Sequence, residues 1–272
     1  MRIEGSTVLI TGASSGIGLA LSREFARAGA ILAIASRNEI RLNQVARELQ
    51  ASHPQLRTPV IIGSDVSDRE SVHQMIETCI RQLGHIDILV NNAGISVYGD
   101  TSRTQLEEFR RVMDVNYFGA LNCMLEVLPH MKRAADGLIV NVASLAALHG
   151  VPYLGAYSAS KAALVALGQS LRAELKGSGV SVMNVYPNYT ETEIFEHETK
   201  IGGARRPDRP YDSAVDVAKK IVAAIEHDRE DLILSFEGKA LSVFRGLSPS
   251  YVERRMKRIA DQLRESQENS HA

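Results

Sequence analysis

The start of the chain places a glycine-rich turn between a short apolar run and an amphipathic helix. The run is Thr7–Ile10, the turn is Thr11-Gly12-Ala13-Ser14-Ser15-Gly16-Ile17-Gly18, and the helix Leu19–Ala28 stops before Gly29. Such a turn lets a phosphate group approach the backbone N–H groups at the positive end of the helix, because glycine has no side chain in the way. The glycine spacing differs from the Gly-x-Gly-x-x-Gly of most dinucleotide folds. The prediction of a phosphate-binding turn therefore rests on the position of the turn between a strand and a helix.

Strand-like and helix-like segments continue to alternate after this unit. Further strands are predicted at 30–35, 60–62, 86–90, 137–143, 180–186 and 232–235, and further helices at 39–52, 68–83, 104–113, 114–133, 157–176 and 213–227. Strands that alternate with helices form a parallel sheet with helices on its faces. A chain of 272 residues can form one such α/β domain. We expect residues 1–248 to form it, and residues 249–272 to be a C-terminal helix with a polar tail.

The composition argues against several classes of function. A net charge of −1 gives no general attraction to nucleic acid or to anionic membranes. Cys79 and Cys123 lack the spacing of metal ligands, so we expect reduced thiols and no metal site. We recognise no signal peptide and no apolar run of transmembrane length, and we expect a cytoplasmic protein.

The strongest candidates for chemistry are Tyr157 and Lys161, four residues apart in a predicted helix. Residues at this spacing share one helix face, so the ammonium can lie near the phenol and lower its pKa from about 10. Ser144 ends the preceding strand, where a hydroxyl can face the tyrosine across a substrate oxygen. Standing alone, the pair would be an ordinary surface feature, but the neighbouring motifs favour a catalytic role.

Three other predicted strands end in polar candidates for dinucleotide binding. The second strand ends at Ser36-Arg37-Asn38, where an acidic residue would bind the 2′-hydroxyl of a ribose. Asp65, after the third strand, suits either the adenine amine or a helix cap, and we favour adenine because Asp68 is the better-placed cap. The fourth strand leads into Asn91-Asn92-Ala93-Gly94, which leaves room for a flat ring.

Other segments allow predictions about the substrate side. Asn116 lies near a helix junction, where capping and catalytic roles fit equally well. Residues 188–212 have no periodic pattern and are interpreted as an active-site lid. An apolar stripe in the tail is expected to dock on the protein or on a neighbouring subunit rather than on a membrane. The predicted substrate wall is Ala146, Ala147, Leu148, Val151, Tyr153 and Leu154, facing Ile194 and Phe195; the tail stripe is Val252, Met256, Ile259 and Leu263.

Taken together, the motifs resemble those of the short-chain dehydrogenase/reductase family. In order, they are Thr11-Gly12-x-x-x-Gly16-x-Gly18, Asp65, Asn91-Asn92-Ala93-Gly94, Asn116, Ser144, Tyr157-x-x-x-Lys161 and Pro187. The resemblance extends from Ser6 to about Ser235 and implies a single Rossmann-type, doubly wound domain. Its parallel sheet would have seven strands in the order 3-2-1-4-5-6-7, with helices on both faces. The family usually has Pro-Gly where this chain has Pro187-Asn188, which would leave the backbone there less free to turn.

The resemblance also implies a role for each site residue. Tyr157 would exchange a proton with the substrate oxygen, Ser144 would hydrogen-bond that oxygen, and Lys161 would lower the tyrosine pKa and hold the nicotinamide ribose. Asn116 would support a water chain from Lys161 to solvent. The implied cofactor-binding residues are Gly12, Ser14, Ser15, Gly16, Ile17, Gly18, Ser36, Arg37, Asn38, Asp65, Val66, Asn92, Ala93, Gly94, Tyr157, Lys161, Pro187, Thr190 and Thr192.

The expected function is an NADP(H)-dependent oxidoreductase acting on an apolar, lipid- or steroid-like carbonyl or secondary alcohol. Ser36 in place of an acidic residue, with Arg37 beside it, favours a 2′-phosphate. The alternatives are a dinucleotide-binding regulator without turnover and a related epimerase or dehydratase. The Tyr157–Lys161 pair disfavours the first, and the short C-terminal region disfavours the second. The expected partner is a small carbonyl or alcohol. The resemblance also implies a second copy of the chain, in a homodimer or homotetramer built on helices 114–133 and 157–176.

Overall fold

A seven-stranded parallel sheet forms the centre of the computed structural model, which describes residues 1–193, 198–201 and 211–268, without the side chains at 245 and 264–268. The strands of the chain are β1 (Thr7–Thr11), β2 (Ile31–Ser36), β3 (Val60–Gly63), β4 (Ile88–Asn91), β5 (Val97–Gly99), β6 (Gly137–Val142), β7 (Val180–Tyr186), β8 (Thr199–Ile201) and β9 (Asp231–Ile233). The sheet order is β3-β2-β1-β4-β6-β7-β9. Counted within this sheet alone, it is 3-2-1-4-5-6-7, so the predicted topology is confirmed.

Helices cover both faces of the sheet. They are α1 (Gly16–Arg27), α2 (Glu39–Ser52), α3 (Arg69–Leu83), α4 (Leu106–Met113), α5 (Gly119–Ala134), α6 (Gly155–Glu174), α7 (Ala214–Glu226), α8 (Phe236–Leu247) and α9 (Pro249–Glu268). One hydrophobic layer joins the sheet to α1, α2 and α7, and the other joins it to α3, α5 and α6. Strand side chains alternate between the layers, as Val8 and Ile10 in the first and Leu9 in the second show. The doubly wound prediction is therefore confirmed.

The two cysteines lie in the second of these layers. Cys79 on α3 and Cys123 on α5 are buried and form no disulfide. Burial raises the pKa of each thiol to about 12, because the charged form would lose its hydration there. The prediction of buried, reduced thiols matches this environment.

The region predicted as a structureless lid contains a strand, so that part of the prediction is wrong. Strand β8 pairs in parallel with β5, forming a small second sheet beside the main one. Both strands have three residues, which is too short to show a period in the sequence, and their pairing joins segments about a hundred residues apart. A bridge between Thr190 and Asp212 closes the base of the segment. The rest of it, including Ile194 and Phe195, lies outside the described residues.

Two helical features also differ from the prediction. The helices predicted at 104–113 and 114–133 form one continuous helical run, in which a π-helical turn, Asp114–Phe118, joins α4 to α5. Such a turn accommodates one extra residue without ending the helix. Helix α8 had no predicted counterpart, although Ser235 caps it by accepting a hydrogen bond from the Gly238 N–H.

Candidate functional site

The carboxyl ends of the central strands open into one large cleft of about 1160 Å³. It lies where the strand order reverses, because the chain runs outward from β1 to β3 and then crosses to β4 on the other side of β1. In open α/β sheets, ligands bind at such a switch point. Of the predicted site residues, only Gly18 and Asn116 do not line this cleft.

The glycine-rich turn forms one end of the cleft and leaves no room for side chains. Gly12 has a φ of +65°, and a Cβ built on it would lie 2.8 Å from the Ala93 Cα. A Cβ on Gly18 would lie 2.2 Å from the Gly12 carbonyl oxygen. Ser15, at the N-cap of α1, makes no side-chain capping bond, so the helix end stays open toward the cleft. This cradle fits the pyrophosphate of a nicotinamide dinucleotide.

A hydrogen-bonded cluster around Thr11 joins the ends of β1 and β4. The Thr11 hydroxyl donates to the Val90 carbonyl and accepts from the N–H groups of Asn92 and Ala93, at 3.1 Å in each case. The Asn92 side-chain amide donates to the carbonyls of Thr11 and Gly12, at 2.9 and 3.2 Å. Asn92 therefore shapes the turn by bonding its backbone carbonyls.

Ser144, Tyr157 and Lys161 line the same part of the molecule, where β6 ends and α6 begins. The Lys161 amine is buried; it donates to the Val142 carbonyl at 2.9 Å and lies 5.9 Å from the centre of the Tyr157 ring. Burial lowers the pKa of the Lys161 ammonium to about 8. The Ser144 oxygen accepts from the Ala146 N–H at 3.2 Å, which leaves its O–H able to donate into the cleft.

Asn116 lies behind the wall of the cleft and is fully buried in the π-helical turn. Its side chain bonds both the N–H and the carbonyl of Ile95 and donates to the Ser160 hydroxyl. Gly94 separates it from Lys161, since a Cβ there would lie 3.3 Å from the Asn116 oxygen and 3.4 Å from the Lys161 amine. The proton-relay role implied by the resemblance stays a prediction.

The end of the cleft where adenosine is predicted to bind, called the adenosine end below, contains Ser36, Arg37 and Asn38. Arg41 also lines it and was not predicted from the sequence. The Asn38 oxygen caps α2 by accepting from the Arg41 N–H, and the Ser36 hydroxyl accepts from the Asn38 N–H. Arg37 makes no hydrogen bond or ion pair with any described residue. Arg41 is ion-paired with Glu193. Its position one turn after the helix cap is the signal that could have found it.

Asp65 and Val66 line the cleft at the end of β3. One carboxylate oxygen of Asp65 accepts from the N–H and the hydroxyl of Ser67, at 3.0 and 2.7 Å. Asp68 caps α3 by accepting from the Glu70 N–H, so the choice of Asp68 as the cap is confirmed. Asp65 is thus free of the capping role that competed with adenine binding.

The segment after β7 covers the glycine-rich turn. Pro187, Thr190 and Thr192 line the cleft as predicted. The Thr190 hydroxyl donates to the Asn188 carbonyl, so it is turned into its own loop. The Thr192 side chain packs on Gly16, where a built Cβ would lie 3.0 Å away.

The predicted substrate wall is only partly correct. Ala146, Val151 and Leu154 line the cleft, together with His149, which was not predicted. Ala147 and Leu148 pack instead with Tyr186 in a separate cluster. Tyr153 packs on Tyr98, with the two ring centres 6.0 Å apart. The wall prediction was wrong for these three because an irregular loop has no period to show which side chains face inward.

Helices α8 and α9 supply a further apolar part of the cleft lining. Gly238 brings α8 into close contact with the segment that follows Ser144, since a Cβ there would lie 2.4 Å from the Leu145 side chain. The tail stripe docks on the protein as expected, with Val252 and Leu263 buried. The apolar residues that these helices contribute to the lining are Ala240, Leu241, Phe244, Tyr251, Val252, Met256, Ile259 and Leu263.

Comparison with known proteins shows the family of the chain. A protein family described as short chain dehydrogenase matches residues 6–201. The chain belongs to this family. It is 36% identical over 270 residues to the dehydrogenase/reductase SDR family protein 7-like of Anopheles gambiae, covering 96% of this chain and 85% of that protein. It is 31% identical over 271 residues to the dehydrogenase/reductase SDR family member 7B of Mus musculus, covering 97% and 84%.

Solved structures of the family contain either nicotinamide cofactor. A short-chain dehydrogenase/reductase from Burkholderia phymatum in complex with NAD matches with a TM-score of 0.82 and 25% identity, over 92% of this chain and 96% of that one. A short-chain dehydrogenase from Burkholderia cenocepacia in complex with NADP matches with a TM-score of 0.81 and 26% identity, over 94% and 99%. The family is thus established for this chain, and these two similar structures hold NAD and NADP respectively.

Two further properties concern the described ranges 1–193, 198–201 and 211–268. These ranges contain no group of three or more His, Cys, Asp or Glu residues arranged to hold a metal ion. None of their helices has the length and apolar character needed to cross a membrane.

The buried Lys161 amine predicts a pH dependence of stability. Its pKa is about 8 in the fold and 10.5 in an unfolded chain, so below pH 8 both states hold the proton and the fold carries the cost of burying the charge. Between pH 8 and 10.5 the folded state loses the proton first. Relative to Lys161→Met, the wild-type free energy of unfolding should therefore rise by about 2–3 kcal/mol across this window.

Urea unfolding of both proteins at a series of pH values measures this change. Taking the difference between them cancels the titration of the buried thiols and of Tyr186, whose pKa is also raised by burial and by Asp231. A difference that stays constant from pH 7 to 10 would contradict a buried, pKa-lowered Lys161.

Proposed function

We propose that the protein is an NADP(H)-dependent oxidoreductase that interconverts an apolar carbonyl compound and its secondary alcohol. The observation that carries the proposal is that Ser144, Tyr157 and Lys161 share a cleft with an open, glycine-lined helix end. A bound nicotinamide dinucleotide would supply or accept the hydride. The protein must then supply a proton, a donor for the substrate oxygen and a positive charge, which these three side chains provide.

Each of the three side chains has a distinct task in carbonyl reduction. The Tyr157 phenol transfers its proton to the carbonyl oxygen as the carbon is reduced, so that C=O becomes CH–OH. The Ser144 hydroxyl donates a hydrogen bond to the same oxygen and stabilises its developing negative charge. The Lys161 ammonium, near the Tyr157 ring, stabilises the phenolate that remains. The same groups act in reverse during oxidation.

Replacing Tyr157 by Phe tests the catalytic assignment. The change removes the proton donor but little contact area, so turnover should fall by about 10²–10⁴-fold while NADPH affinity stays within a few-fold. Tyr117→Phe is the matched control, because Tyr117 lies in the π-helical turn and does not line the cleft. Steady-state kinetics and cofactor fluorescence measure the two effects. Activity of the Tyr157 variant above about a tenth of wild type would refute the assignment.

Cofactor choice follows from the charges at the adenosine end. Ser36 places no carboxylate where a 2′-phosphate would lie, and the Arg37 guanidinium has no described partner that would compete. A guanidinium suits phosphate because its planar donors can form two parallel hydrogen bonds. Arg41 adds a second positive charge at the same end, although Glu193 partly neutralises it. This arrangement supports NADP(H) over NAD(H).

Removing the Arg37 side chain tests this preference. A hydrogen bond to a charged group contributes about 1.5–3 kcal/mol, so Arg37→Ala should lower kcat/KM for NADPH by roughly one to two decades and leave NADH nearly unchanged. Arg41→Ala should lower kcat/KM for NADPH by less than Arg37→Ala does, because the Arg41 guanidinium is already ion-paired with Glu193. Arg47→Ala serves as the control, being exposed on α2 away from the cleft. A wild type that prefers NADH would contradict the proposal.

The apolar lining of the cleft supports a lipid- or steroid-like substrate. Ala146, Val151 and Leu154 form one side, and α8 and α9 form the other. A panel of lipophilic ketones, small diketones, sugars and phosphosugars, each assayed with NADPH, distinguishes the classes. We expect lipophilic ketones to have the highest kcat/KM. Turnover of phosphosugars that equals or exceeds that of lipophilic ketones would contradict an apolar substrate.

We also propose that the protein forms a homodimer or homotetramer through α5 and α6. Phe118, at the end of the π-helical turn, and Leu125, on α5, expose large apolar side chains. Long helices with exposed apolar residues support a contact with a second copy of the chain.

A further inference from the structure

Helix α8 exposes an apolar stripe that the proposed reaction does not use. Phe236, Val243 and Leu247 are 85%, 57% and 78% exposed. Their spacing of i, i+7 and i+11 places them on one helix face. Phe244 and Tyr251 widen this face toward α9, with their ring centres 5.6 Å apart. We refer to these five residues as the α8 patch. A contiguous group of exposed, large apolar side chains on a helix face indicates an interaction site.

The α8 patch is continuous with the mouth of the cleft. Phe244 and Tyr251 belong to the patch and also line the cleft. Ala240 and Leu241, on the same helix, line the cleft as well. An apolar molecule could therefore pass from the patch into the cleft along a continuous apolar surface.

A basic flank of α9 borders this patch. Tyr251, Arg255, Arg258 and Gln262 follow one another at i, i+4, i+7 and i+11, and all four line the cleft. Neither arginine has a partner among the described residues. Between residues 236 and 263 the sequence has six Lys or Arg and three Asp or Glu, whereas the whole chain has a net charge of −1. Positive charge is thus concentrated beside the apolar patch.

This charge distribution decides between two occupants of the patch. A second copy of the chain, paired about a twofold axis, would bring the basic flank near its own copy, which is unfavourable. An anionic lipid surface complements both features, since apolar side chains enter the acyl boundary and arginines bind the head groups. The buried residues Val252 and Leu263 keep α9 on the protein, so it is α8 that faces outward.

We propose that α8 and the basic flank of α9 dock the protein on the surface of an anionic lipid bilayer, with the cleft opening toward the lipid. A lipophilic substrate then enters along the patch without crossing water. The entry of substrate from the lipid rests on the proposed function, whereas the docking on the bilayer does not.

Co-sedimentation with lipid vesicles tests the docking. Wild-type protein should pellet with vesicles containing phosphatidylserine, more weakly at high salt, and remain in the supernatant with phosphatidylcholine alone. Val243→Glu should lower binding to the anionic vesicles by at least about tenfold, because it places a charge in the apolar boundary. Leu106→Glu on α4 is the matched control, since Leu106 is also 57% exposed. This control should bind like wild type.

A second pair of variants tests the electrostatic part. Arg255→Gln combined with Arg258→Gln should lower binding by roughly 25-fold, because each basic residue near an anionic surface contributes about a factor of five. Arg47→Gln combined with Lys132→Gln removes the same charge from α2 and α5 and should have little effect. Circular dichroism of each variant establishes that it is folded.

Three results would overturn the proposal. Wild-type protein that stays in the supernatant with anionic vesicles is the first. The second is an equal loss of vesicle binding in the patch variants and in their controls, which would indicate non-specific adsorption. The third is a change of oligomeric state in Val243→Glu by analytical ultracentrifugation without lipid, which would assign the patch to a second copy. Sedimentation needs no substrate, so an inactive but lipid-binding protein would refute only the proposed function.

Discussion

The Thr11 hydroxyl is the contact on which the geometry of the site depends. It bridges the ends of β1 and β4 through three backbone groups, at the point where the strand order reverses. The glycine-rich turn can then pass so close to Ala93 that only glycine fits at position 12. A buried hydroxyl with all its hydrogen bonds satisfied holds such a junction rigidly, because any displacement leaves polar groups unpaired. The cradle at the end of α1 and the opening of the cleft are both set by this junction.

A second buried network supports the side of the cleft that contains Lys161. Asn91, Asn141 and Asn184 lie in register on β4, β6 and β7, and their side chains bond in series at 3.1 Å. Gly168 on α6 packs directly on this ladder, since a Cβ there would lie 2.4 Å from the Asn184 oxygen. The ladder therefore fixes α6 relative to the sheet. Lys161, on the same helix, donates to the carbonyl of Val142, which directly follows Asn141. The ladder and this hydrogen bond therefore position the amine together.

The parts of the structure that the sequence predicted are those set by local chemistry. Apolar runs such as Val180–Tyr186, the glycine turn and the cap at Asp68 depend on neighbouring residues, and each was recognised. The parts that it missed depend on distant contacts. The pairing of β5 with β8 and the ion pair between Arg41 and Glu193 join segments more than ninety residues apart. Helix α8 has a recognisable cap and apolar spacing, yet its position over Leu145 is set by the tertiary fold.

The burial of Cys79 and Cys123 has a practical consequence. Their thiols hold their protons at neutral pH, and only the thiolate reacts readily with alkylating reagents. The sequence contains no other cysteine. A cysteine introduced at an exposed position of the native protein would therefore be the one thiol that a maleimide or spin label modifies. Distances and mobilities can be measured from such a probe without first replacing the two native cysteines in the core.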